Sequence, residues 1–519
     1  MSERLPQGYD GPALDVLAED GAATGDRSLA VVAPFTGDTV GSVPAATSDD
    51  VSRAADRARE AQADWAAWPV TERAAVVEQF ASLVLERRAA LLDLIQLESG
   101  KARHDANEEV VDVVGTAYHY ADRADQYMAS ERLQGAIPYL TRAHKHRDPH
   151  GLVGFITPWN YPLTLAVSDV LPALLAGNAV LIKPAEETPF SALFVARLLR
   201  EAGVPGHCVQ ILPGKGEPLG EPLVASVDMI AFTGSTAVGR ELAAHAGRRL
   251  IPSSLELGGS GPMVVRADAP MGRTVTGAVH GAFASTGQLC IATERIYVHE
   301  SRYEEFCRRF VERVRALTLG TGFEYGPDVG PLVSAAQCSR VADSVDEAVE
   351  AGATLVTGGR RRPDVAPFAY EPTVLTDVAA DSAIVTEETF GPVVTVHSVP
   401  GDDTALERAN DSPYGLHGSI WTGDTARGRQ LARQLDCGTV TVNDPYAAMW
   451  GSFGVPMGGT GDSGVGRRHG DEGFEKYTET QGVAVQHGHP IATPPGVPRR
   501  VVAAFLTGFV RFARRVGLR

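Results

Sequence analysis

Cysteine is scarce in this chain, five among 519 residues, at 208, 290, 307, 338 and 437, never in Cys-x-x-Cys spacing. That excludes a disulfide-stapled scaffold and a zinc site built on paired thiolates. Only five of the 47 basic residues are lysine, so each lone lysine draws notice. No apolar run approaches the roughly 20 residues that a membrane span requires. Met1 to Asp26 is acidic and polar, without a basic n-region or an apolar h-region. No secretion signal is expected there, and cytoplasm is the default compartment. Positive charge is outnumbered, 47 basic against 64 acidic side chains, for a formal net charge of −17. That balance excludes a nucleic-acid partner held through its phosphates. There is no internal repeat. What is present is the 44% hydrophobic and 21% charged composition of an ordinary globular protein, enough for roughly two to four domains.

From Ser48 to about Gly100 the pattern is helical. Ser48-Asp49 reads as an N-cap, followed by Val51, Ala54, Ala58, Ala61 and Trp65 at three- and four-residue steps. Thr71 is placed to cap a second helix running through Leu94. From Gly151 short apolar runs alternate with helices. Strands are expected at Leu152–Ile156, Ala179–Ile182, Val209–Leu212, Met229–Phe232 and Met263–Val265. Helices are expected at Leu163–Leu175, Pro189–Ala202, Pro218–Ala225 and Ala237–Ala246. Strands apolar at every position are buried on both faces, which predicts a parallel βαβ sheet. A second α/β series follows, with strands at Arg295–His299, Thr354–Val356, Val393–His397, Ser419–Trp421 and Thr439–Val442. Gln134–His150 and Thr478–His487 fit neither series, and extended segments of that kind commonly pair with another subunit's edge.

Chemistry gathers at the ends of these strands. In Phe232-Thr-Gly-Ser-Thr-Ala-Val-Gly239 a strand passes through Gly234 and Ser235 into a helix start, where free N–H groups suit a pyrophosphate. Only Gly234 and Gly239 of the usual glycine pattern are present, and a plain structural turn reads as well. Lys183-Pro-Ala-Glu186 closes another strand, where a carboxylate can accept both hydroxyls of an adenine ribose and repel a 2′-phosphate. A charge pair before a helix is the alternative. Cys290 follows the turn Thr286-Gly287-Gln288-Leu289 and is a nucleophile if its thiol is activated, a packing residue otherwise. Glu256, alone in Ser254-Leu-Glu-Leu-Gly-Gly259, is either a desolvated general base or a cap on a neighbouring turn. Pro158-Trp159-Asn160-Tyr161-Pro162 fixes an amide donor on a stiff loop, as an oxyanion site requires. Glu388 and Phe390, in Glu387-Glu-Thr-Phe-Gly-Pro392, suit a ribose and a flat ring.

The ordered set PWNYP, KPAE, FTGST, ELGG, GQLC and EETFGPV resembles the aldehyde dehydrogenase superfamily from about Ser28 to Gln486. The likeness implies an α/β fold. A Rossmann-like dinucleotide-binding domain would span 28–133 and 151–257, and a catalytic domain 258–457. Residues 134–150 and 478–487 would form a β-arm joining subunits as a homodimer or homotetramer. Carried over, the likeness makes Cys290 the nucleophile, Glu256 the base, and Asn160 with the Cys290 N–H the oxyanion donors. Trp159, Lys183, Glu186, Gly234, Ser235, Gly239, Leu257, Glu388 and Phe390 would hold the cofactor. That cofactor would be NAD, with NADP the alternative, and no metal is called for. Relatives that release the acyl group to coenzyme A lack the base of ELGG, so Glu256 argues for hydrolysis to an acid.

Among members of the superfamily, the phrases PWNYPLTLAVSDVLPALLAGNAV, GQLCIATERIYV, YEPTVLT and SGVGRRHG are most similar to bacterial succinate-semialdehyde dehydrogenases. Enzymes of that activity clamp the substrate carboxylate with arginines at positions that correspond here to Ser168 and Ala284. An uncharged medium- or long-chain aldehyde is therefore the alternative substrate. The tail 494–519 departs from the superfamily pattern. Val502, Phe505, Leu506, Phe509, Ala513 and Val516 form a helical apolar stripe, with Arg500, Arg511, Arg514 and Arg515 largely elsewhere. Such a helix packs on its own subunit or a partner, lies on an anionic membrane, or covers a hydrophobic entrance.

Overall fold

A computed structural model describes residues 11–487, 490–515 and 517. Val516 of the expected stripe and residues 1–10 of the N-terminal stretch lie outside the described residues. The described residues form two compact units, a larger one of 11–128 and 148–479 and a smaller one of 129–147 and the described residues after 479.

The larger unit holds two sheets. The first has six strands in the order Gly464–Val465, Ser253–Glu256, Met229–Thr233, Leu152–Ile156, Ala179–Lys183 and Val209–Ile211. All its pairs are parallel except the antiparallel Gly464–Val465 edge. Leu152–Ile156 and Ala179–Ile182 are buried at every position, as their unbroken apolar runs predict. Lys183 pairs with Ile156, Ile156 with Phe232 and Thr233 with Glu256. The carboxyl ends thus come level, and the loops that carry the site motifs leave from one side.

The second sheet runs Thr354–Thr357, Thr373–Thr376, Val393–Val399, Thr293–His299, Gly261–Val265, His417–Trp421 and Thr439–Val442, parallel but for its first pair. Here one expectation fails. Met263–Val265 belongs to this sheet, and Ser253–Glu256 takes its place in the first. Strands buried on both faces look alike in either sheet, and the polar Ser253-Ser254 hid the true strand. Thr373–Thr376, wholly buried, was missed because its short run ends in threonines.

Helix boundaries were less legible. The cap of Ser48–Ala67 is Thr47, not Ser48. Its hydroxyl accepts from the Asp50 N–H at 3.2 Å, while the Asp50 carboxylate accepts from the Thr47 N–H at 2.8 Å. The next helix starts at Val70 behind Pro69 rather than being capped by Thr71, and it breaks at Arg87 into Val70–Glu86 and Arg88–Ser99. Gly100, at φ 74°, ends it. Leu163–Leu175 is likewise two helices, Thr164–Val167 and Val170–Ala176. Helix Arg103–Ala121 was not foreseen because the polar residues Asp105, Glu109, Asp112 and Thr116 occupy its buried face.

The smaller unit carries most of a three-stranded sheet in the order Thr478–Gln486, Thr141–Pro149, Glu131–Gln134. Most of Thr478–Gln486 is exposed. Helix Arg499–Arg515 belongs to the same unit.

Candidate active site

Loops after the first sheet's strands and loops before the second sheet's strands share a cleft of about 210 Å³. Pro158, Trp159, Asn160, Gly234, Ser235, Leu257 and Gly258 line it from the first set. Cys290, Glu388 and Phe390 line it from the second, and Gln337 and Arg340 from the start of helix Ala335–Glu350. Motifs as far apart in sequence as PWN and ETF thus meet on one surface.

Cys290 hangs from a tightly constrained turn. Ser285, Thr286 and Gly287 all take positive φ, at 50°, 61° and 69°, which is costly for a β-branched threonine. The Thr286 hydroxyl offsets part of that cost by donating to the Gly330 carbonyl at 3.1 Å. Gly287 has no alternative, since a Cβ there would stand 2.0 Å from the Gly391 carbonyl oxygen. Gly287→Ala should destabilise the fold by about 3 kcal/mol or more and displace Cys290. The check is a thermal melt beside steady-state turnover, with both expected to fall. Burial pushes the Cys290 thiol up to about 12, and Glu388 and Glu256 add to it through their charge. The thiol is therefore protonated near neutrality, and reactivity requires a proton acceptor.

Asn160 is fixed from both ends. Its Nδ2 donates to the Gln288 carbonyl at 2.9 Å, two residues before Cys290, leaving one N–H of the amide for another acceptor. Its backbone carbonyl accepts from Lys101 Nζ at 2.6 Å. Lys101, almost fully buried, also pairs with Glu109 at 2.7 Å and stands 3.6 Å over the Tyr161 ring. Glu109 in turn accepts from the Leu163 and Thr164 N–H groups. A buried ion pair with its remaining oxygen satisfied in this way stiffens the loop that carries Asn160.

Glu256 ends its strand almost fully buried, and its Oε1 has no hydrogen-bond partner. Gly458 of the glycine-rich loop stands beside that oxygen, where a Cβ would be 3.1 Å away. Burial raises the carboxyl to about 8, against the pull of Lys476 and Arg468. Those two cations share Asp169, at 3.4 and 3.3 Å. An unpartnered buried carboxylate with such a value is suited to take a proton from water.

The dinucleotide expectations divide. Trp159 and Phe390 meet edge to face at 5.4 Å, Phe390 again at positive φ. Glu388 Oε1 accepts from the Gly259 N–H at 2.9 Å, and burial raises its carboxyl to about 7. Ser235 heads helix Thr236–Arg249 without a side-chain cap, so the first N–H groups are open to an anion. Gly234 is there for room rather than for a left-handed turn, because a Cβ would meet the Phe232 ring at 2.5 Å. Gly239, expected to hold cofactor, lies outside the lining and lets the helix pack on Leu257, where a Cβ would stand 2.5 Å from its Cδ2. Lys183 and Glu186 also lie outside it, at the end of the neighbouring strand. Lys183 Nζ donates to the Pro184 and Gly214 carbonyls, and Glu186 accepts from the Gly216 N–H at 3.3 Å. An open helix N-terminus, an aromatic pair and two carboxylates form a donor and acceptor set that fits a dinucleotide.

Sequence reasoning missed Lys101, Glu109, Gln337, Arg468 and Asp169. Lysine scarcity pointed equally at Lys101 and Lys183, but no strand end drew attention to Lys101. Beside Cys290 an apolar cluster includes Tyr161, Leu165, Ala284, Leu289, Tyr446 and Met457. Ser168 donates to Asp112 at 2.8 Å, and neither Ser168 nor Ala284 brings a cation.

Residues 22–483 match the Aldehyde dehydrogenase family. The chain is 46% identical over 493 residues, 95% of either chain, to a Mycobacterium tuberculosis protein named "Putative succinate-semialdehyde dehydrogenase (NADP+) 2". A Mycolicibacterium smegmatis protein named "Putative succinate-semialdehyde dehydrogenase (NADP+)" is 43% identical over 96% of each. The crystal structure of NAD-dependent aldehyde dehydrogenase from Sinorhizobium meliloti superposes with a TM-score of 0.87 at 32% identity, covering 92% of this chain and 94% of that one. A chain matched from residue 22 to residue 483, with its motifs gathered around one cleft, belongs to the aldehyde dehydrogenase family.

Proposed function

We propose that this protein oxidises an aldehyde to a carboxylic acid with a nicotinamide dinucleotide as oxidant. The observation that carries the reading is the shared cleft, in which Cys290, Asn160 and the dinucleotide-type surface meet. Cys290 loses its proton to solvent water in the open cleft and its sulfur adds to the aldehyde carbon, the C=O π bond giving the oxyanion of a thiohemiacetal that the free Asn160 Nδ2 N–H and the Cys290 N–H receive. Trp159, Gly234, Ser235, Leu257, Glu388 and Phe390 would hold the dinucleotide in the cleft, with Glu186 beyond it toward the adenine ribose, and the nicotinamide would supply the hydride acceptor that makes the thioester possible. Glu256 then takes a proton from water, which attacks the thioester, frees the acid and returns the thiol. Lys101 and Glu109 act through Asn160 as positioning residues.

The two mycobacterial relatives, by their names, support succinate semialdehyde as the substrate. The apolar cluster beside Cys290, with Ser168 and Ala284 in place of arginines, favours the second reading, an uncharged medium- or long-chain aldehyde. Glu186 supports NAD over NADP through charge, against the NADP in the relatives' names. Purified protein offered succinate semialdehyde and a series of short and long uncharged aldehydes, with NAD and NADP in parallel, separates these readings. kcat/KM is expected to be higher with NAD, and Glu186→Ser is expected to narrow the gap by roughly tenfold or more. Equal use of both cofactors with no response at Glu186 would remove that residue from the cofactor site. Absence of NADH and NADPH production across the whole series would remove the oxidation itself.

A further inference from the structure

Six of the chain's 47 basic residues and none of its 64 acidic ones lie after Glu479. Five of those six arginines are in helix Arg499–Arg515, which has no acidic residue. Placed at 100° per residue, Val501, Val502, Phe505, Leu506, Phe509, Val510, Phe512 and Ala513 fill one half of the circumference. Arg500, Arg511, Arg514 and Arg515 lie in the other, and Arg499, at the first position of the helix, falls within the apolar half. Only Ala513 is buried, and Val502 and Phe509 are half-buried, so a narrow strip in the middle of the apolar half packs on protein. On one side of that strip Phe505 is 69% exposed and Phe512 57%, with Val501 beside them, and on the other side Leu506 and Val510 are exposed too. Leu250, Tyr325 and Val465 are exposed singly elsewhere, and smaller exposed groups, Tyr139 with Leu140 and Val483 with Val485, lie in the same unit as the helix. No helix among the described residues is long and apolar enough to cross a membrane.

We propose that helix Arg499–Arg515 is a peripheral anchor that lies flat on an anionic lipid surface, its phenylalanines in the headgroup boundary and its arginines among the lipid phosphates. A bilayer edge supplies an apolar layer and an anionic layer side by side, which is the order of charge and apolarity around this helix. The acidic remainder of the protein is repelled by the same surface, so the attraction must come from this segment.

The test is co-sedimentation of the full-length protein with vesicles rich in phosphatidylglycerol, beside vesicles of phosphatidylcholine alone, at low and high salt. Binding is expected to phosphatidylglycerol only and to weaken with salt. Arg511→Glu combined with Arg514→Glu should lower the partition coefficient at least about tenfold, as should Phe505→Ser combined with Phe512→Ser. A chain ending at Pro494 should not sediment. Aldehyde oxidation in solution should persist in every variant, which also reports that each has folded. Equal binding to both vesicles, or binding that survives removal of residues after Pro494, overturns the proposal. So does absence of binding together with a smaller assembly mass on truncation, which would make this face a contact between copies.

Discussion

Cys290→Ser is expected to lower turnover by roughly 10⁴-fold or more while leaving dinucleotide affinity and the melting midpoint nearly unchanged. The size of the loss follows from the proposed role. Without the sulfur no covalent adduct forms, and the oxyanion donors have nothing to stabilise. The small change in stability follows from the site, because serine preserves the shape and Cys290 makes no disulfide. Thiol alkylation gives a second readout. A thiol raised to about 12 should react slowly at neutral pH in the free enzyme and faster as the pH climbs. Retained reduction of the dinucleotide by the serine variant would refute the nucleophile assignment.

Glu256→Gln should separate the two halves of the reaction. Adduct formation and hydride loss do not consume the water that Glu256 activates, so a single turnover of reduced dinucleotide should still appear as a burst. Steady-state turnover should then fall by roughly 10²- to 10⁴-fold as thioester accumulates on Cys290. The pH dependence carries its own sign. The carboxyl sits at about 8, so the basic form is the minor one at neutral pH. Deacylation should therefore rise as the pH increases through about 8 and level off above it. The glutamine variant should lose that limb. A burst abolished along with turnover would place Glu256 at the first step, taking the proton from Cys290.

The parallel strands were legible because burial on both faces leaves unbroken apolar runs, as in Leu152–Ile156 and Ala179–Lys183. The same uniformity hid which sheet Gly261–Val265 would join, since nothing in an all-apolar strand distinguishes one sandwiched position from another. The site motifs were legible where they stand at strand ends. What escaped was support that crosses the fold, with Lys101 lying 59 residues before the Asn160 it holds. Arg468 and Asp169 also escaped, because the fields they exert on Glu256 depend on distances that no local pattern contains. Gly239 carries a related ambiguity, since a glycine where a helix leans on a neighbour and a glycine that admits a phosphate are spelled alike.

The backbone N–H groups of Thr389 and Phe390 both donate to Glu294, four residues after Cys290, while Gly287 lies directly against Gly391. The turn bearing the sulfur and the turn bearing the aromatic ring are consequently one mechanical piece. An engineer who reshapes 388–390 to alter cofactor choice will shift the nucleophile as well. Glu186, in the turn after strand Ala179–Lys183 of the other sheet, accepts from the Gly216 N–H instead, so a substitution there leaves this piece and its thiol in place.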